Sequence, residues 1–338
     1  MYFFPNRFFG ALFIILPIFS SIILGANVES EKEYKPEILL RHAWDEKIFG
    51  IRREPLPPTG PTCIAVDRSG NIYVGDAVNH RVVKFDNEGN FMFSFGRSAG
   101  DSLPKGERID FLQDMVVDID GNIYICDWGR DPRIKKFDRR GLFLCEIRAR
   151  GARLNQLNSI RVDSRGNIYV TDVSRNKVAI FDRNLQLIKR CKSEENGEEL
   201  FISDSISYSI KQIDGKGSPR FQIEKSAIPF DSKGGQISER LAKYVFMAKE
   251  SISVCGIIGE DMRGDLYIAY GVSPDLAGRV LKFDPVGNYL GKIVTLKSPL
   301  WHYMDDSGYI APNGDIYFMR SNEREVWIER YPTELFKK

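Results

Sequence analysis

Histidine is scarce: the 338 residues hold only His42, His80 and His302, with no paired spacing. A zinc centre resting on three imidazoles would have to gather them from three distant segments, one of them an outer strand, so that chemistry is set aside. Cysteine is also sparse. Cys63, Cys126, Cys145, Cys191 and Cys255 are odd in number and lack any Cys-x-x-Cys spacing. The first three fall in strand-like runs, where a buried apolar thiol is expected instead of a disulfide framework. Net charge is nearly missing as well: 48 Lys and Arg face 46 Asp and Glu, giving +2. Without Arg7, in the leader discussed next, the value is +1, which supplies no global field for nucleic acid. No nucleophile with an adjacent base can be assigned.

Long apolar runs are absent except at the start. Arg7 precedes an uncharged stretch from Phe8 to Leu24, ending near Gly25-Ala26. Its 17 residues sit at the lower limit for spanning a bilayer, and Pro17, Ser20 and Ser21 weaken it. Residues 1–26 therefore read as an export signal, or as an anchor in residues 8–24 if uncleaved, and predict a periplasmic or extracellular protein. No cysteine precedes Cys63, so a lipid-modified N-terminus is not expected. Residues 27–37 read as a linker.

What the chain has is a clock. Phe85-Asp86, Phe137-Asp138, Phe181-Asp182, Phe230-Asp231 and Phe283-Asp284 recur at spacings of 52, 44, 49 and 53. Periods of this size mark units that cannot bury their own faces and must stack on neighbours. Before each clear Phe-Asp pair lie three short runs rich in β-branched and aromatic residues. In the first unit these are Ile64–Val66, Ile72–Val74 and Arg81–Phe85; a fourth, Asn90–Phe95, follows it. Bounded by Gly and Asp, they read as strands a, b, c and d. An acid with Gly three residues later, as in Asp67 to Gly70 and Asp86 to Gly89, suits a tight hairpin turn closed by a left-handed glycine.

Four antiparallel strands per period predict an all-β propeller. Counting acids and Phe-Asp pairs gives six blades over residues 38–335. The fourth is degenerate, at about 196–250, with Leu200–Asp204 as its strand a. The last unit reaches Tyr331 with no room for a strand d before Lys338. An N-terminal strand within 38–50 is expected to complete it, closing the ring and removing its open edges.

The segment Asp76-Ala77-Val78-Asn79-His80-Arg81-Val82, followed by Lys84-Phe85-Asp86, resembles the NHL-repeat family, with Arg81 where the family name has Leu. Asp127 with Arg133, and Asp172 with Lys177, keep the acid and the later cation; Tyr270 and Arg320 take the acid position in the fifth and sixth blades. The resemblance implies the propeller fold over about 290 residues. It permits binding modules, RNA binders and metal-dependent lyases, with calcium-dependent hydrolases among related proteins.

Strand alternation puts the ab and cd turns at one end, and the bc loops and d-to-a crossings at the other. The first end repeats tight turns, whereas the second varies, so recognition is expected there. That face is predicted to display His80, Trp128, Arg130, Arg133, Arg175, Tyr270, Trp301, His302 and Arg320, an aromatic and arginine surface of the kind that dominates binding hot spots. The expected function is a non-catalytic, monomeric, exported scaffold without a cofactor, binding a protein or glycan of the cell envelope. The alternative is a calcium-type hydrolase or lyase in the central channel, with Asp114, Asn158, Glu199 and Asp306 as oxygen ligands.

Overall fold

The structure, a computed structural model, describes residues 34–44, 48–53, 59–96, 105–172, 177–192, 199–203, 206–213, 220–227, 240–247, 252–272, 277–297 and 308–336. Within them the chain is a propeller of four-stranded antiparallel blades, with short 3-10 turns and no α-helix. The first sheet runs Cys63–Val66, Ile72–Asp76, Arg81–Phe85 and Phe91–Phe95. The next are Leu112–Val117, Ile123–Asp127, Arg133–Phe137 and Phe143–Arg148, then Leu157–Val162, Ile168–Asp172, Lys177–Phe181 and Leu187–Lys192. There follow Glu199–Ser203, Ile206–Ile213, Arg220–Ala227 and Arg240–Met247, then Ile252–Glu260, Leu266–Val272, Ala277–Phe283 and Tyr289–Lys297. In the last sheet Gly308–Ile310, Ile316–Ser321 and Glu325–Tyr331 are joined by Glu37–Ala43, which pairs antiparallel with Glu325–Tyr331. Each strand a lies against the next, and Gly308–Ile310 lies against Cys63–Val66.

The repeated sequence builds its own turn. Asp67 Oδ1 accepts the N–H groups of Ser69 and Asn71, while Oδ2 accepts the Asn71 amide and, at 3.2 Å, the Tyr73 hydroxyl. Asp118 with Tyr124, Asp163 with Tyr169 and Asp261 with Tyr267 repeat this. The tyrosine of each Ile-Tyr-Val run can therefore be fully buried with its hydroxyl satisfied. From strand c, the ammonium groups of Lys84, Lys136 and Lys282 sit over the same rings at 4.8, 5.1 and 4.8 Å. The last blade has Ala311 in place of the acid. There Arg330 stands opposite Tyr317 and takes Glu37 of the N-terminal strand as its carboxylate, 3.0 Å away.

The fourth sheet has its own register. Tyr208 pairs with Lys225, whose ammonium lies 5.3 Å from the ring centre, as Lys84 lies over Tyr73. In that register Ser226 occupies the place of Phe85. Phe230-Asp231, expected with Gly234 to supply the turn between strands c and d, falls between Arg220–Ala227 and Arg240–Met247 and lies outside the described residues. The apolar leader at 8–24 lies outside them too.

The core sits between blades. Cys63, Ala65, Tyr73 and Val82 of the first blade pack with Leu112, Met115, Ile123 and Phe137 of the second, and equivalent clusters join the second to the third and the fifth to the last. Leu40 and Phe49 join the cluster between last and first blades. Burying one such side chain contributes about 1.5–3 kcal/mol, so the side chains packed between these blades stabilise the ring.

Two turn glycines separate backbone strain from contact. Gly89 and Gly121 have φ of 85° and 83°. A Cβ at Gly121 would meet nothing closer than 3.2 Å, whereas one at Gly89 would lie 2.0 Å from the carbonyl oxygen of Leu39 in the N-terminal strand. Both alanine variants are expected to lose about 1 kcal/mol from the left-handed backbone. Gly89→Ala should lose a further 1–3 kcal/mol, roughly, from overlap. Equal melting temperatures for the two variants would contradict this turn-to-strand contact.

Candidate functional site

The acid ending strand b is a buried clamp. Asp127 is 2% exposed; its Oδ1 accepts the N–H groups of Asp110 and Phe111 at 2.9 and 2.8 Å, and its Oδ2 lies 3.3 Å from the Lys135 ammonium. Asp172 accepts the Asn155 N–H at 2.7 Å. Asp76 accepts the Gly50 N–H, the Asn79 amide and, at 3.0 Å, Arg81. In each case the carboxylate ties down chain entering its own blade. Burial raises the pKa of Asp76 and Asp127 and lowers that of Lys135. The cation of Asp127 is thus Lys135; Arg133, its expected partner, binds Asp131 at 2.9 Å and Glu146.

This slot explains two corrections to the expected display. Tyr270 and Arg320 stand where other blades have the clamp acid, and they share its burial. Tyr270 is 8% and Arg320 3% exposed; Arg320 lies 3.5 Å from Glu329 and over the Phe318 ring at 4.5 Å. Neither is presented to solvent, and the charge of Arg133 is neutralised by its two acids. His80 is left-handed, with φ of 57°, and its Nδ1 lies 2.6 Å from the Asp110 carbonyl oxygen, which ties its loop to the neighbouring crossing. Arg175, Trp301 and His302 lie outside the described residues.

Trp128 and Arg130 remain, and the structure gives them a setting. Immediately after the clamp, the Trp128 N–H donates to the Phe111 carbonyl at 2.7 Å. Its ring meets Phe111 edge to face at 5.8 Å and is still 40% exposed. Gly129 follows because a Cβ there would lie 2.6 Å from the Asp110 side chain. This loop and the crossing into the third blade, which makes a 3-10 turn at Ala149–Ala152, border an open hollow of 580 Å³ lined by Trp128, Gly129, Arg130, Pro132, Arg150 and Asn155. Pro132, Arg150 and Asn155 were not foreseen. Their available signal was the run Arg148, Arg150 and Arg153 in the 148–157 crossing.

The channel holds a second cavity, of 260 Å³, at the ab-turn end that sequence reasoning took as uniformly tight. Arg161, Glu260 and Tyr309 line it with the turn residues Ile119 and Met262. Burial pushes the Tyr309 hydroxyl up to about 12. Asp114, one of the expected oxygen ligands, accepts the Ile160 N–H at 3.0 Å and the Arg161 guanidinium at 2.8 Å. Asn158 is exposed, the Glu199 side chain is not described, and Asp306 lies outside the described residues. Among the described residues no three His, Cys, Asp or Glu gather as metal ligands. Cys63 and Cys126 are free thiols whose pKa burial raises, which keeps them protonated and inert.

Blades of this construction define a β-propeller. Residues 59–85 match the NHL repeat, and the blade arrangement supports an NHL-repeat propeller. A comparison with curated proteins finds no match. Among solved structures, a Bacteroides fragilis protein provisionally described as exported is 12% identical, over 90% of this chain and 99% of that one, with a TM-score of 0.50. A gluconolactonase from Xanthomonas campestris is 15% identical, over 80% and 86% of the two chains, at a TM-score of 0.49. The virginiamycin B lyase of Staphylococcus aureus is 12% identical, over 85% and 89%, at 0.42. At these identities the likeness concerns the fold alone.

Proposed function

We propose that the protein is a non-catalytic, exported binding module, a closed six-bladed ring that captures a protein or glycan ligand in the hollow beside Trp128. The observation that carries this reading is the hollow itself: an exposed indole and two arginines held on a loop and a crossing that buried carboxylates fix in place. Rigid presentation lowers the entropy lost on binding, and Trp and Arg are the side chains that most often dominate hot spots. Export rests on Arg7 and the Phe8–Leu24 run.

The test is crosslinking capture from the native envelope fraction. Replacing Trp128 and Arg130 together by Ala should weaken capture by about 2–4 kcal/mol without lowering the melting temperature, since neither belongs to a strand. Arg140→Ala, on the opposite cd turn and bonded only to the surface acid Asp138, should change nothing. Equal capture by all three proteins would overturn the location.

A further inference from the structure

The ionic state of the hollow specifies its ligand further. Resting on the reading of the hollow as the ligand site, we propose that it recognises a uronate-bearing saccharide: a sugar ring against the indole of Trp128, with its carboxylate held by Arg130 and Arg150. Among the described residues, basic groups around this loop are mostly neutralised. Arg133 binds Asp131 and Glu146, and Arg148 lies 3.3 Å from Asp131. Arg130 and Arg150 differ, for neither guanidinium has a carboxylate within ion-pair distance among the described residues. Both line the hollow, and no acid does. A neutral ligand covering them would strip water from two cations and return no opposite charge, whereas a carboxylate supplies charge-assisted, bidentate hydrogen bonds.

The uncharged part of the site selects a ring. Phe111 braces the indole edge to face, so the aromatic surface is presented without rearrangement. The hollow is open to solvent, which leaves room for a short oligosaccharide to lie across it. An acidic peptide fits less well. Peptides dock by adding a strand or by filling apolar side-chain pockets. Here the strand ends beside the hollow are already paired, Leu112 with Asp127 and Leu157 with Asp172, and Trp128 and Pro132 are its only large apolar lining.

The test titrates the full chain with trigalacturonate, its fully methyl-esterified counterpart and a hexaglutamate peptide, with melting curves to verify folding of each variant. Trigalacturonate should bind, and the neutral ester should bind at least about tenfold more weakly. Trp128→Ala should weaken both sugars by about thirtyfold. The double change Arg130→Gln and Arg150→Gln should erase the difference between acid and ester. If the ester binds as tightly as the acid, or the peptide binds and the sugars do not, the uronate proposal is overturned; sensitivity of that binding to Trp128→Ala would still support the site. Absence of binding by all three probes overturns the proposal as well. Trigalacturonate binding that ignores Trp128→Ala would instead overturn the site.

Discussion

Removing residues 27–50 is expected to unfold the propeller instead of merely trimming it. Glu37–Ala43 is the fourth strand of the last blade, and its loss leaves Glu325–Tyr331 with an unpaired edge. The segment also contributes to the core. Leu40 is 5% exposed and Phe49 fully buried, and the Phe49 ring lies 5.8 Å from Phe85 in the first blade, so it bridges the two ends of the chain. His42 stacks into the same group, 5.8 Å from Phe49, which makes it a packing residue. Truncating a buried Leu costs about 2–5 kcal/mol and a buried Phe about 3–5. Together they approach the whole stability of a typical domain, roughly 5–15 kcal/mol. The measurement is soluble yield and melting temperature of the truncated chain, with Phe49→Ala as a milder probe that keeps the strand. If the truncated protein melts like the intact one, the closure is misassigned.

Most of this architecture was legible because the repeat writes its turns locally. Asp67, Gly70, Asn71 and Tyr73 satisfy one another within seven residues, so the motif declares strands a and b before any tertiary contact forms. The N-terminal strand was legible as a spare apolar run upstream of the first strand a, and it pairs with Glu325–Tyr331. Sequence was less informative where a side chain's role depends on its blade. In the fourth blade Tyr208 opposite Lys225 sets the register of the sheet, and strand pairing is a non-local fact. Arg320 and Tyr270 read as surface residues because they open the bc loops of their blades, but their position is the buried clamp slot. The hollow was half legible. Trp128 and Arg130 stand out in their loop, whereas Arg150 meets them through non-local bonds: the Ala149 N–H donates to the Pro132 carbonyl, and Asp172 anchors Asn155 further along the crossing.

The clamp at Asp127 joins fold to site, and its removal should damage both. Asp127→Ala leaves the N–H groups of Asp110 and Phe111 without their acceptor and takes a carboxylate from the Lys135 ammonium, whose side chain is 3% exposed. Glu146, 3.6 Å from the same ammonium, compensates in part. The expected loss is about 3 kcal/mol. Asp127→Asn keeps one acceptor oxygen and should lose less, whereas Asp131→Ala, at a more exposed acid, should stay under about 1 kcal/mol. Ligand capture should fall with stability in the Asp127 variants, because the Phe111 carbonyl and ring that brace Trp128 belong to the crossing this carboxylate holds. The pH dependence has a definite sign. Burial raises the folded pKa of Asp127 above 3.8, so its contribution is fully present below that value and is lost as pH rises through the folded pKa. The stability of wild type relative to Asp127→Asn should therefore shrink across that interval, and a difference that grows with pH would show that Lys135 and the two amides outweigh burial at this carboxylate.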